Sequence, residues 1–136
     1  MIVADANLVA CLVLQESEQE LAVSILKVDS TWSVPMLWRS EMLNILAGLM
    51  RGSGLSRRSA AGLYTAAADL LMANECVVNP ERILSCIARS RCTAYDCEYV
   101  ALAESLDVPL VTFDRLILKE FPRRAVSPKE FLAGHA

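Results

Sequence analysis

Four acidic residues stand at positions where their carboxylates could act together. Asp5 directly follows a short apolar run, and Asp114 comes two residues after another. Glu41 and Asp96 lie near the starts of helical segments, beside apolar faces. Carboxylates that converge repel one another, and their pKa values rise, unless a cation lies among them. Since Mg²⁺ and Mn²⁺ take oxygen ligands, the pattern favours a divalent metal site that orients and activates water.

Each acid also has a purely structural interpretation, which the sequence leaves open. Asp5 and Asp114 both precede helical segments, where aspartate is a good N-cap. The spacing Thr93-x-x-Asp96 is that of a capping box, in which the acid reaches back to the cap amide. Glu41 would be explained equally well as a solvated side chain at the edge of an apolar stripe.

Helical spacing gives a further expectation for Glu41. The residue shares one helix face with Trp38 and Ile45, and Asn44 lies one turn further along. Because a buried carboxylate needs a hydrogen-bonding partner, we expect Asn44 to fill that place.

Several other kinds of chemistry are disfavoured. His135 is the only histidine and the penultimate residue, which argues against a mechanism that needs a placed imidazole. The chain has no GxGxxG or Walker A motif. Its five cysteines form no CxxC pair, which argues against zinc and predicts reduced, mostly buried thiols in a cytoplasmic protein.

The rest of the sequence predicts strands that alternate with helices. The expected strands cover residues 1–4, 31–34, 76–78, 109–112 and 125–126. The expected helices are a stretch after Asp5, residues 16–28, 36–51, a segment capped by Ser56 that runs to about 73, 81–89, 94–106, 114–119 and 128–133. This alternation is typical of the α/β class, with a parallel sheet covered on both faces. We expect residues 1–136 to form one domain, with no membrane segment, because the longest apolar run has seven residues.

Four segments together resemble the PIN domain ribonucleases, and among them the VapC-type toxins of bacterial toxin–antitoxin pairs. They are Ile2-Val3-Ala4-Asp5-Ala6-Asn7, Glu41-x-x-Asn44, Ala94-Tyr95-Asp96-Cys97-Glu98-Tyr99-Val100-Ala101-Leu102-Ala103-Glu104, and Pro109-Leu110-Val111-Thr112-Phe113-Asp114-Arg115. The resemblance runs from residue 2 to residue 115, and the last two segments are its more specific part. It implies a three-layer α/β/α domain with a short central parallel sheet.

The resemblance also implies a function and roles for residues. It makes Asp5, Glu41, Asp96 and Asp114 the acidic quartet of a Mg²⁺- or Mn²⁺-dependent endoribonuclease. Asp5 and Asp96 would be direct metal ligands, whereas Glu41 and Asp114 would act through water or at a second metal position. Asn7 and Thr112 would support the quartet by hydrogen bonding, as Asn44 would beside Glu41. The implied partners are structured RNA, a second copy of the chain in a homodimer, and a VapB-like antitoxin that covers the acidic groove.

RNA binding by such a protein needs a local basic rim, because the chain has a net charge of −3. Arg115 is the best placed candidate because it follows Asp114, although a neighbouring acid would be able to neutralise it. The other candidates are Arg51, Arg57, Arg58, Arg89 and Arg91.

Other functions remain in competition with the toxin. The chain would also fit a PIN nuclease that processes RNA without an antitoxin, or a binding module that kept the fold and lost catalysis. A phosphatase with Asp5 as nucleophile is disfavoured, because Asn7 stands where a second aspartate would be expected. An apolar stripe on the early helices would form either core or a groove for an antitoxin helix. Its members are Leu8, Leu12, Leu21, Ile25, Leu46 and Leu49.

Overall fold

A computed structural model describes residues 1–15 and 17–135 of the chain. Its strands are β1 (Ile2–Ala4), β2 (Trp32–Pro35), β3 (Glu75–Cys76), β4 (Leu110–Val111) and β5 (Ala125–Val126). Its helices are α1 (Ala6–Leu14), α2 (Gln19–Val28), α3 (Trp38–Gly52), α4 (Arg57–Leu71), α5 (Pro80–Ala88), α6 (Ala94–Leu106), α7 (Arg115–Glu120) and α8 (Pro128–Ala133). A 3₁₀ turn at Met72–Asn74 joins α4 to β3.

The five strands form one parallel sheet in the order β3-β2-β1-β4-β5. β1 is the central strand. The chain adds β2 and then β3 on one side of it, and afterwards crosses to the other side to add β4 and β5. Ligands of open α/β sheets bind beyond the carboxyl ends of the strands where the chain changes sides in this way. The chain segments that leave β1 and β4 therefore occupy the favoured position for a site.

Helices cover the sheet on both faces, which confirms the predicted α/β/α class. Successive residues of a strand point to opposite faces. Accordingly, Ile2 and Ala4 belong to a core cluster with α1, α2, α3, α4 and α8, whereas Val3 belongs to a second cluster with α5, α6 and α7. β1 is thus buried from both sides and holds the first residue after it in a fixed place.

The predicted elements exist, but some of their bounds differ. α6, β5 and α8 have the expected bounds. β3 is shorter than expected and ends at Cys76, while Val77 is almost fully exposed. The helix expected from residue 36 begins at Trp38, because Met36 lies in the preceding turn, where its carbonyl accepts from the Arg39 amide. The helix expected from residue 16 begins at Gln19, and Glu16 itself lies outside the described residues.

The expected groove on the early helices is only partly found. Leu8 and Ile25 are fully buried in the first core cluster, so they cannot line an open groove. None of the five cysteines forms a disulfide, as predicted, and four of them are buried. No helix in the described part of the chain is long and apolar enough to span a membrane.

Candidate active site

An open cleft of about 660 Å³ lies where the segments after β1 and β4 meet the starts of α3 and α6. Four separate elements bring one acid each to this cleft. Asp5 follows β1, Glu41 is in the first turn of α3, Asp96 is in the first turn of α6, and Asp114 precedes α7. The cleft is lined by Asp5, Ala6, Asn7, Leu37, Ser40, Glu41, Asn44, Ile45, Tyr95, Asp96 and Asp114. The structure therefore brings the four acids together, while their roles in catalysis and metal binding stay predictions.

Asp5 caps α1 and also faces the cleft, so its interpretation as an N-cap does not conflict with its interpretation as a site residue. The Ala6 amide donates to its Oδ1 over 2.7 Å, and the Thr112 hydroxyl donates to its Oδ2 over 2.6 Å. Only 8 % of Asp5 is exposed. Burial raises the pKa of Asp5 to about 7; the Thr112 hydrogen bond opposes this rise, and the charges of Glu41 and Asp96 add to it.

Thr112 links two of the acids through its hydroxyl. Ala4 and Val111 are paired in the sheet, so the residues that follow them, Asp5 and Thr112, lie side by side. The fully buried Thr112 hydroxyl donates to Asp5 and accepts from the Asp114 amide at 2.9 Å. Asn7 makes longer contacts of 3.5 Å, from its Nδ2 to the Thr112 hydroxyl and from the Phe113 amide to its Oδ1.

Glu41 is held by a residue for which we predicted no role. The Tyr99 hydroxyl donates to Glu41 Oε1 over 2.6 Å, across 58 positions of sequence. Tyr99 is buried on α6, and a buried tyrosine hydroxyl usually finds such a partner. Asn44, the expected partner, is exposed and makes no hydrogen bond to Glu41 within the described residues, although it lines the cleft. A hydroxyl-bearing aromatic on the inward face of α6 was the available signal for this contact.

Asp96 and Asp114 are both tied to the helix starts that carry them. The Asp96 amide donates to the Thr93 hydroxyl at 3.1 Å, which makes Thr93 the N-cap of α6. Asp114 caps α7 by accepting from the Ile117 amide at 2.9 Å. Each helix start thereby fixes the position of one carboxylate at the cleft wall.

No cation among the described residues forms an ion pair with any of the four acids. None of the ion pairs among residues 1–15 and 17–135 involves Asp5, Glu41, Asp96 or Asp114. Burial raises the pKa of Glu41, which the Tyr99 hydrogen bond lowers and the charge of Asp96 raises further. Burial likewise raises the pKa of Asp96, with hydrogen bonding to Thr93 acting against it and Asp114 adding to it. The cleft is thus a negative site that a cation would stabilise.

The donor set fits a hard divalent cation, since carboxylate, amide and hydroxyl oxygens are what Mg²⁺ and Mn²⁺ prefer. Among the described residues, no three Asp, Glu, Cys or His side chains lie close enough together to hold a metal ion in their present arrangement. Repulsion between uncompensated carboxylates acts against their closer approach, and Mg²⁺ retains several water ligands that bridge longer separations.

Arg115 is free to contact a ligand. It is the exposed first residue of α7, directly after Asp114, and has no ion pair with any residue that the structure describes. Two other rim candidates are engaged, because Arg89 pairs with Glu104 and Arg91 pairs with Glu120.

Comparison with known proteins places the chain in a family. The model of the PIN domain family matches residues 2–123 of the chain. A search of curated protein sequences found no significant match.

Three solved structures have the same fold. PAE2754 from Pyrobaculum aerophilum has a TM-score of 0.77 and 20% identity, over 98% of this chain and 87% of that one. A toxin–antitoxin complex from Klebsiella pneumoniae has a TM-score of 0.70 and 14% identity, over 94% and 98%. FitAcB from Neisseria gonorrhoeae has a TM-score of 0.69 and 16% identity, over 95% and 99%. At these identities the likeness shows a shared fold.

Proposed function

Because the chain belongs to the PIN domain family, whose members are generally nucleases, we propose that it is a Mg²⁺- or Mn²⁺-dependent endoribonuclease. We propose further that it acts as a VapC-type toxin. One observation supports the catalytic proposal. Four carboxylates from four elements converge in one cleft, and none of them forms an ion pair with a cation that the structure describes.

In this proposal the residues of the cleft have different roles. Asp5 and Asp96 hold the cation directly, while Glu41 and Asp114 hold its water or a second cation. A bound divalent cation supplies a water of lowered pKa and neutralises charge on the phosphoryl group. Thr112 fixes the orientation of the Asp5 carboxylate, and Tyr99 fixes that of Glu41. Arg115 contacts a phosphate of the RNA, as its exposed and unpaired guanidinium suits.

The antitoxin part of the proposal has two supports. One is the likeness of the fold to a toxin–antitoxin complex from Klebsiella pneumoniae. The other is an apolar groove of about 410 Å³ between α3 and α4, whose lining includes Leu43, Met50 and Tyr64. Asn44, the next residue after Leu43, lines the acidic cleft. An apolar antitoxin helix in this groove would therefore lie beside the cleft that its continuation covers.

The homodimer is a proposal of the same kind. Two large apolar side chains, Met36 and Val77, are exposed and line the same surface pocket beside β3. Burial of such a patch against a second copy would remove it from water. Sedimentation velocity should give twice the monomer mass, and a monomer at micromolar concentration would contradict this.

Cleavage of RNA by the purified chain tests the catalytic proposal. We expect wild-type protein to cut structured cellular RNA with Mg²⁺ or Mn²⁺ and to be inactive with EDTA. Loss of a ligand in Asp96→Asn should reduce the rate by more than about 100-fold, whereas Asp69→Asn, on the exposed face of α4, should cut normally. A folded wild-type protein that cuts no RNA would instead favour a non-catalytic binding module.

Expression in cells separates the toxin from an RNA-processing nuclease. Brief expression of the wild-type chain should arrest growth and create new RNA 5′ ends, both absent with Asp96→Asn. We expect a small antitoxin-like protein to be encoded next to this gene, and its co-expression should restore growth. Cleavage without growth arrest, or without such a neighbour, would favour a processing nuclease.

A further inference from the structure

Tyr95 differs from the other aromatic residues of the chain in its surroundings. The chain has eight aromatic residues, and the other seven are buried or half-buried. Tyr95 is 63 % exposed and lines the acidic cleft, next to Asp96. Its ring therefore stands in solvent at the edge of the candidate active site.

The fold does not account for this side chain. Tyr95 belongs to neither core cluster, and it has no hydrogen bond, ion pair or ring contact with any described residue. α6 begins at its Thr93 cap whether or not an aromatic ring follows. An alanine at this exposed position would favour the helix more.

An exposed ring beside an acidic cleft suits one kind of ligand contact. Carboxylates repel RNA phosphates, but a nucleobase carries no charge and stacks on an aromatic face. A base inside a duplex has both faces covered by its neighbours, so only an unpaired base can stack on a side chain. Arg115 is exposed and directly follows the cleft residue Asp114, so its positive charge is available to a phosphate that enters from this side.

We propose that Tyr95 is a stacking platform for an unpaired base adjacent to the scissile phosphate. This inference rests on the proposed function for its substrate class. Tyr95 contacts the base and not the reacting atoms, so its loss weakens substrate binding more than the chemical step.

Binding measurements test the proposal apart from catalysis. In an Asp96→Asn background, which removes cleavage, we would measure fluorescence anisotropy with a labelled RNA hairpin and with a fully paired RNA duplex of equal length. Tyr95→Ala should weaken hairpin binding by roughly 5- to 100-fold and leave duplex binding unchanged. Tyr95→Phe keeps the ring and should bind within about twofold of the Tyr95 protein. Thermal unfolding would verify that all three proteins are equally folded.

Cleavage kinetics in the otherwise wild-type protein, which keeps Asp96, give the second readout. Tyr95→Ala should raise KM for the hairpin with little change in kcat, and Tyr95→Phe should restore KM. Equal hairpin affinity for Tyr95→Ala and its parent, or a preference for duplex, would overturn the stacking role even if the enzyme cleaves RNA. A Tyr95→Ala protein that loses only antitoxin binding would also overturn it. Intact stacking without any cleavage by wild-type protein would leave Tyr95 as an RNA contact and refute the nuclease instead.

Discussion

Thr112 shows how an uncharged side chain organises the acidic cleft at the scale of single residues. Its hydroxyl has one proton, which it donates to Asp5, and its lone pairs accept from the Asp114 amide. One buried atom thereby sets the relative position of two acids that follow neighbouring strands. The arrangement depends on the sheet, since Asp5 and Thr112 lie side by side only because β1 and β4 are paired.

Replacement of this hydroxyl should therefore damage the site. Thr112→Val keeps the shape but leaves the Asp114 amide and the Asp5 carboxylate each short of a buried partner, which costs about 1–3 kcal/mol of stability. We expect RNA cleavage to fall by at least about tenfold, and Thr112→Ser to restore most of it. Chemical denaturation and cleavage rates measure the two effects, and full activity of Thr112→Val would contradict the linking role.

The buried charge of Asp5 gives a prediction for the pH dependence of stability. Its pKa rises from 3.8 to about 7 on folding, so the folded chain holds this proton more tightly than the unfolded chain. As pH rises from about 4 to 7, ionisation of Asp5 lowers the free energy of unfolding. Asp5→Asn removes that cost, and we expect the variant to be more stable than wild type at pH 8 by on the order of 2–4 kcal/mol.

Denaturation of both proteins without divalent cation, at pH 4 and at pH 8, measures this difference. The advantage of Asp5→Asn should nearly vanish at pH 4, where Asp5 is protonated in the folded state. If the difference in unfolding free energy between the two proteins did not depend on pH, ionisation of Asp5 would not destabilise the metal-free protein.

At the scale of elements, local signals predicted the helices well and the contacts between them less well. α6 and α8 have the expected bounds because Thr93 and Ser127 are N-caps whose side chains accept from the amides three residues on. β3 was misplaced because a two-residue edge strand is defined by its pairing with β2, which no local pattern records.

The same division runs through the candidate site. The positions of Asp5 and Asp114 could be predicted because strand ends and helix caps are local features. The partner of Glu41 could not, because helical spacing pointed to Asn44, whereas packing of α6 against the sheet brings Tyr99 to Glu41. The early apolar stripe was ambiguous for a similar reason, since spacing alone does not distinguish a core face from a groove.

Tyr99 links α6 to α3 through its hydrogen bond to Glu41. A phenylalanine at this position would remove the hydroxyl and keep the shape of the ring. Tyr99→Phe leaves the half-buried Glu41 carboxylate without its described donor, so we expect weaker Mn²⁺ binding and cleavage reduced by about three- to tenfold. Tyr64→Phe, at the ring that stacks on Trp38, is the matched control and should behave as wild type. Equal Mn²⁺ affinity in all three proteins would remove Tyr99 from the site.

At the scale of the whole molecule, charge and apolar surface are separated into distinct areas. The cleft is acidic, the groove between α3 and α4 is apolar, and α3 borders both. A protein that must be both active on RNA and neutralised by a partner needs two such surfaces side by side. In the proposed function, the antitoxin helix would occupy the groove and RNA would occupy the cleft.

A charge placed in the groove should separate these two activities. Leu43 is 54 % exposed, so Leu43→Asp should fold normally and cleave RNA as wild type. Because an unpaired carboxylate in an apolar interface is costly, antitoxin affinity should fall by at least about tenfold. Leu84→Asp, exposed on α5, is the control, and calorimetric titration with the partner measures both. Undiminished binding by Leu43→Asp would exclude the groove as the antitoxin site.

Calorimetric titration with Mn²⁺ tests most directly whether the four acids form one binding site for a divalent cation, as we propose. We expect saturable binding to wild-type protein, its loss in Asp96→Asn, and its retention in Asp69→Asn, which changes an exposed acid on α4. Wild-type protein that is folded and binds no Mn²⁺, or Asp96→Asn that binds it with undiminished affinity, would contradict the claim.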